Sequence, residues 1–160
     1  MRMPKPAPRA HRLPPSLADP QRTGLTPASA FYNLQTCTTN LYATPQTPGH
    51  PRLKHCLVHV RDHNGARLRS LSIGRRGLGP ESNPDVSSSQ CAPPLALTPP
   101  QLERFERELQ RCADEGYQWG ERDCCSCIER AYALGLGQPA PRAIQRAAQQ
   151  LSRSEEPPPP

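Results

Sequence analysis

The sequence predicts an α+β fold: a small antiparallel sheet packed on a helix that carries a cysteine at its N-terminus. Three observations support this. Two strand-like runs flank Asn64-Gly65, a capped amphipathic run begins at Thr98, and Asp123-Cys124 opens a second amphipathic run.

Taken in order, residues 1–29 are dense in proline and arginine and are expected to form a disordered arm. Residues 30–152 hold the periodic segments and are expected to form one domain, with residues 153–160 as a disordered tail. Phe31–Ala43 reads as a strand and Thr44–Pro51, with its prolines and a glycine, as a loop. Leu53–Asp62 and Ala66–Ile73 read as a hairpin, because Asn-Gly suits a turn with positive φ at both central residues. A two-residue turn sets Val60 opposite Arg69, His59 opposite Ser70, and His55 near Gly74. One face then carries Cys56, Val58, Val60, Leu71 and Ile73, and the other His55, Leu57, His59, Leu68, Ser70 and Ser72. Gly74–Pro94 reads as a long loop.

Thr98-Pro-Pro-Gln101 combines a capping box with proline in the first helical turn, and Leu102, Phe105 and Leu109 follow at helical spacing up to Gly116. Asp123 suits the N-cap of the next helix, with Cys124, Cys127 or Ile128, Ala131 and Leu134 on its inner face and Gly135 or Gly137 at its end. Pro141–Leu151, with Ile144, Ala147, Ala148 and Leu151 on one side, reads as a third helix.

Composition narrows the function. Hydrophobic residues make up 34% of the 160 positions and aromatics 4%, with 22 prolines, so a modest core with loose ends is expected. The net charge of +6 comes from scattered arginines without interleaved aromatics, which argues against a nucleic-acid partner. No run is long enough for a transmembrane helix, and Met1–Leu17 lacks the apolar centre of a signal peptide. The expected localisation is therefore cytoplasmic, or exported without a classical signal peptide. Seven cysteines, three of them at Cys124, Cys125 and Cys127, lack the spaced pairs of a disulfide scaffold. They suggest a reducing compartment and a reactive or metal-binding cluster.

Cys124 is the residue best placed for chemistry. Free N–H groups and the positive end of the helix dipole stabilise a thiolate at a helix start, and the same groups can stabilise an oxyanion. The neighbouring Asp123 carboxylate acts against the thiolate.

Tyr117-x-Trp119-Gly120-x-x-Asp123-Cys124 resembles the nucleophile motif of NlpC-type papain-like peptidases, although Cys125-Ser126-Cys127 stands where Ser-Gly usually follows. All five histidines precede Cys124. The chain thereby resembles the permuted branch that includes the lecithin:retinol acyltransferase-like proteins, in which the histidine strand comes first. Lys54–Gly65 resembles the family's histidine strand, and Ser72-Ile73-Gly74 the end of the next. The resemblance spans residues 31 to 137. It implies a Cys124–His55 dyad working through a thioester on a peptide-amide or acyl substrate. Peptidoglycan peptides are favoured, with a lipid acyl group as alternative. Such a dyad needs no cofactor and no metal, and acting on a neighbouring cell's wall would imply a secretion or immunity partner.

His55 is the expected base, His59 on the same strand face the runner-up, and His50 a further alternative in its proline-rich loop. His63 is expected in solvent and His11 in the arm. Ser70 or Ser72 is placed to try the orienting role, without a strong case for either. The rival reading is structural zinc on His55, His59, His63 and the three clustered cysteines, although on a strand those histidines spread over roughly 27 Å. A non-enzymatic interaction module is the third.

Overall fold

The computed structural model describes residues 31–160. They form an α+β structure with a five-stranded antiparallel sheet and three α-helices. The strands are β1 (Tyr32–Asn40), β2 (Lys54–Arg61), β3 (Arg67–Gly74), β4 (Gly77–Pro80) and β5 (Leu95–Leu97), in spatial order β4-β3-β2-β1-β5. The helices are α1 (Pro99–Asp114), α2 (Cys124–Ala131) and α3 (Arg142–Ser152). The expected arm and His11 lie outside the described residues.

The hairpin keeps the expected register in its body but not at its turn. Val58 pairs with Leu71, His59 with Ser70 and Val60 with Arg69. The loop is three residues, not two: the Asp62 N–H donates to Ala66 O at 2.9 Å, and the Asp62 carbonyl accepts from Gly65 N at 3.0 Å. Gly65 takes the positive φ of 87° that this turn requires. The Asp62 carboxylate also accepts from the N–H groups of Asn64 and Ala66. A register shift between Val60 and Arg61 absorbs the extra residue, so the same side chains reach the core.

Both faces of β2 are buried, where alternation alone leaves the less apolar face open. The helices pack on the face of Cys56, Val58 and Val60. The segment expected to be one long loop instead contains β4, which pairs with β3, and a short 3₁₀ turn at Ser88–Gln90. Since β4 and β5 are opposite edges of the sheet, the connection between them must cross its second face. It covers Leu57, His59 and Cys37, and is tied down by the Cys37–Cys91 disulfide.

Six of the seven cysteines are paired: Cys37–Cys91, Cys56–Cys125 and Cys112–Cys127, with Cys124 free. This overturns the expectation of a cluster of free thiols. Partners 54 and 69 residues apart leave no spacing pattern for sequence reading to find.

The helix caps follow the local sequence. Thr98 and Gln101 form the expected capping box. α2 passes into a π-turn, Tyr132–Leu136, that ends at Gly137 with φ 68°. Gly135 lets this turn press on α1: a Cβ there would stand 2.9 Å from the backbone of Arg104 and Phe105. No helix among the described residues is long and apolar enough to cross a membrane.

Candidate active site

Asp123 caps α2 with its side chain fully buried. One carboxylate oxygen accepts from Cys125 N at 3.1 Å and Ser126 N at 2.8 Å, and the other from Gly120 N at 2.8 Å. Two first-turn N–H groups of α2 are therefore engaged by the cap. Of the donors expected for an oxyanion, this leaves the N–H of Cys124 itself.

The Cys124 sulfur sits at the end of β2. The β2–β3 ladder stops at Val58 and Leu71, so nearer the start of β2 the edge facing β3 has no strand partner. There the N–H of Cys56 points at Cys124 Sγ, 3.5 Å away. The opening between the strands is part of a cleft of about 360 Å³ whose walls include His55, Ile73, Arg75, Tyr117, Trp119 and Cys124.

His55 stands at this strand end, where it reaches both the helix and the crossing connection. Its side chain is 21% exposed. Its Nε2 lies 2.5 Å from Glu81 Oε1, and Cys124 lines the same cleft, close enough to act on the ring electrostatically. Burial disfavours the imidazolium, but the Cys124 sulfur and the Glu81 carboxylate outweigh it, and the group is pushed up to about 10. Glu81 responds in the opposite sense. Burial raises its carboxyl, yet the hydrogen bond and charge of His55, with help from Asn83 N–H and Ser72, bring it down to about 2.

Glu81 is the group that sequence reading missed. It is the first residue of the crossing connection, and its backbone N–H donates to Ser70 O. Its side chain therefore emerges on the sheet face that bears His55. No motif marks it, because its place depends on β4, itself unforeseen. Ser72 acts on Glu81, where it helps to lower the carboxyl, rather than on the imidazole. Ser70 instead holds His59, with Oγ 2.6 Å from Nδ1.

The other histidines have different surroundings. His59 is 2% exposed and lies against the Cys37–Cys91 disulfide. Burial, then Arg61 and Arg67, lowers it to about 4, so it is neutral at pH 7. His50 accepts the N–H groups of Arg52 and Leu53 at Nδ1, as a loop brace. His63 lies edge-on to Phe31 near the turn.

Among the described residues, two groups bring potential metal ligands within 4.8 Å of one another: Cys37, His59 and Cys91, and Asp123, Cys124 and Cys125. Each includes disulfide-bonded sulfur, which is not the thiolate that zinc takes. The three histidines expected in a zinc set have separate partners.

Compared with protein-family models, curated proteins and solved structures, the chain finds no match. The functional reading therefore rests on the site.

Proposed function

We propose that this chain is a cysteine hydrolase of the permuted papain-like type, acting on a peptide-type amide through a Cys124 thioester. The observation that carries the reading is one imidazole, His55, hydrogen-bonded to a buried carboxylate and sharing a cleft with a free thiol whose charge acts on it. A nucleophile, its base and an orienting group in series is the arrangement that acyl transfer needs.

His55 takes the Cys124 proton, and Glu81 stabilises the imidazolium and holds the ring. The thiolate adds to the carbonyl carbon, and the carbonyl π electrons move to oxygen. The Cys124 N–H and the Tyr117 hydroxyl are the donors proposed for that oxyanion. Burial, with Glu156 and Cys124 nearby, raises Tyr117 far above its ordinary value, so it keeps its proton to donate. Collapse breaks the C–N bond as imidazolium protonates the departing amine. Water, deprotonated by His55, then cleaves the thioester and restores the thiol.

The substrate we propose is a peptide amide of the cell wall, with a lipid acyl group as the second choice. Three disulfides beside one free thiol favour the exported branch of the localisation reading, in an oxidising setting. Incubation with purified peptidoglycan, followed by mass analysis, should release peptide fragments. Cys124→Ala and His55→Ala should each abolish release; thermal unfolding should stay within a few degrees of wild type for Cys124→Ala, whereas His55→Ala, which leaves the Glu81 carboxylate without its partner, should unfold cooperatively at a lower temperature. Undiminished release by Cys124→Ala would end the proposal.

A further inference from the structure

The cleft at Cys124 is lined in part by the chain's own residues 154–160, and the contacts are specific. The Trp119 indole N–H donates to the carbonyl of Ser154 at 2.7 Å, and the Tyr42 hydroxyl to the carbonyl of Pro157 at 3.0 Å. Between these anchors the Glu156 carboxylate pairs with the Arg75 guanidinium. Arg75 in turn lies over the Tyr117 ring, 5.1 Å from its centroid. Glu156 and Pro159 form part of the cleft wall together with Cys124 and His55.

Two donors on main-chain carbonyls and a cation on one side chain constitute peptide recognition. The carbonyl contacts accept any sequence and hold the strand in place, while Arg75 discriminates by charge. A run of prolines after the acidic residue favours an extended backbone with little ordering cost on binding.

We propose that this cleft binds an extended peptide bearing an acidic residue followed by proline, that Arg75 selects the acidic side chain, and that residues 154–160 occupy the cleft as a ligand in cis. As a statement about substrate, it rests on the reading of Cys124 and His55 as the hydrolytic site. The tethered segment has a local concentration in the millimolar range, so it competes with any free peptide of modest affinity. The site is thereby masked until the segment is displaced.

The test uses the full chain and the single tryptophan, Trp119, as its reporter. Glu156→Arg should release the segment and change Trp119 emission. Arg75→Glu should do the same, and the double exchange should restore the wild-type spectrum by re-forming the pair with reversed sign. Acetyl-Ser-Glu-Glu-Pro-Pro-Pro-Pro added to the Glu156→Arg chain should saturate the change, and the peptide with glutamine in the second Glu position should bind roughly fivefold more weakly, the scale of a largely exposed ion pair. Wild-type chain at the same peptide concentration should not respond. Iodoacetamide should label Cys124 faster in either single variant than in wild type. Equal emission in wild type and Glu156→Arg, or equal binding of the Glu and Gln peptides, would overturn the proposal. None of these readouts needs turnover. A chain that binds the acidic peptide but cleaves no amide would retain this cleft assignment and lose the hydrolase.

Discussion

Replacing Cys56 and Cys125 together by alanine should cost both stability and chemistry, for separate reasons. The two cysteines are 69 residues apart, and each is the chain neighbour of a site residue, Cys56 of His55 and Cys125 of Cys124. Loop-closure entropy for about 70 residues corresponds to about 4.4 kcal/mol at 25 °C. Spread over about 130 residues at roughly 2.1 cal/mol/K each, that is a fall in Tm of about 16 °C. The Cys37–Cys91 pair, 54 residues apart, gives a nearly equal cost, about 4.2 kcal/mol, but ties down the crossing connection beside His59 instead. The two double variants therefore match in stability and differ in what they hold. Thermal unfolding by circular dichroism should show similar losses. Peptide release per folded molecule, measured well below either Tm, should collapse for Cys56→Ala/Cys125→Ala and persist for Cys37→Ala/Cys91→Ala. Equal activity in the two would refute the argument that the Cys56–Cys125 bond positions the dyad. An unchanged Tm would refute the cross-link itself.

Glu81→Gln removes the charge that holds His55 protonated, so the alkaline limb of the pH–rate profile should move down from near 10; an unmoved limb would mean that Glu81 does not act on the imidazole. Its stability effect follows from linkage. The raised His55 stabilises fully below its unfolded value near 6.5 and loses this as pH rises toward 10, while the depressed Glu81 stabilises fully above about 4.5 and loses this as pH falls toward 2. The pair thus contributes most between about pH 4.5 and 6.5, where Glu81→Gln should cost on the order of 3 kcal/mol in urea unfolding and less at either extreme. Gly135→Ala should destabilise by about 1–3 kcal/mol in the same measurement, since its Cβ would meet the backbone of Arg104 and Phe105; a neutral effect would show that the π-turn shifts freely.

Features that depend on near neighbours are legible in the chain. Thr98 with Gln101 and Asp123 with Ser126 are within one helical turn of each other, so the starts of α1 and α2 were readable in the chain. Alternation in Lys54–Arg61 and the nearby glycine made the body of the hairpin readable too, because the core accepts only one register. Cys124 was marked by its cap. Only the resemblance singles out His55 among the histidines, and the fold brings it to the same cleft as Cys124. The remaining contacts join partners far apart in the chain. Nothing local pairs Cys56 with Cys125, or brings Glu81 to His55, or lays Glu156 on Arg75. These contacts depend on β4 and β5 taking opposite edges of the sheet, which sends the connection across its second face, and on α3 returning residues 154–160 to the cleft. Short edge strands carry too few residues to show a period. Their positions, and the placing of Glu81 with them, come from packing against a sheet that must already exist.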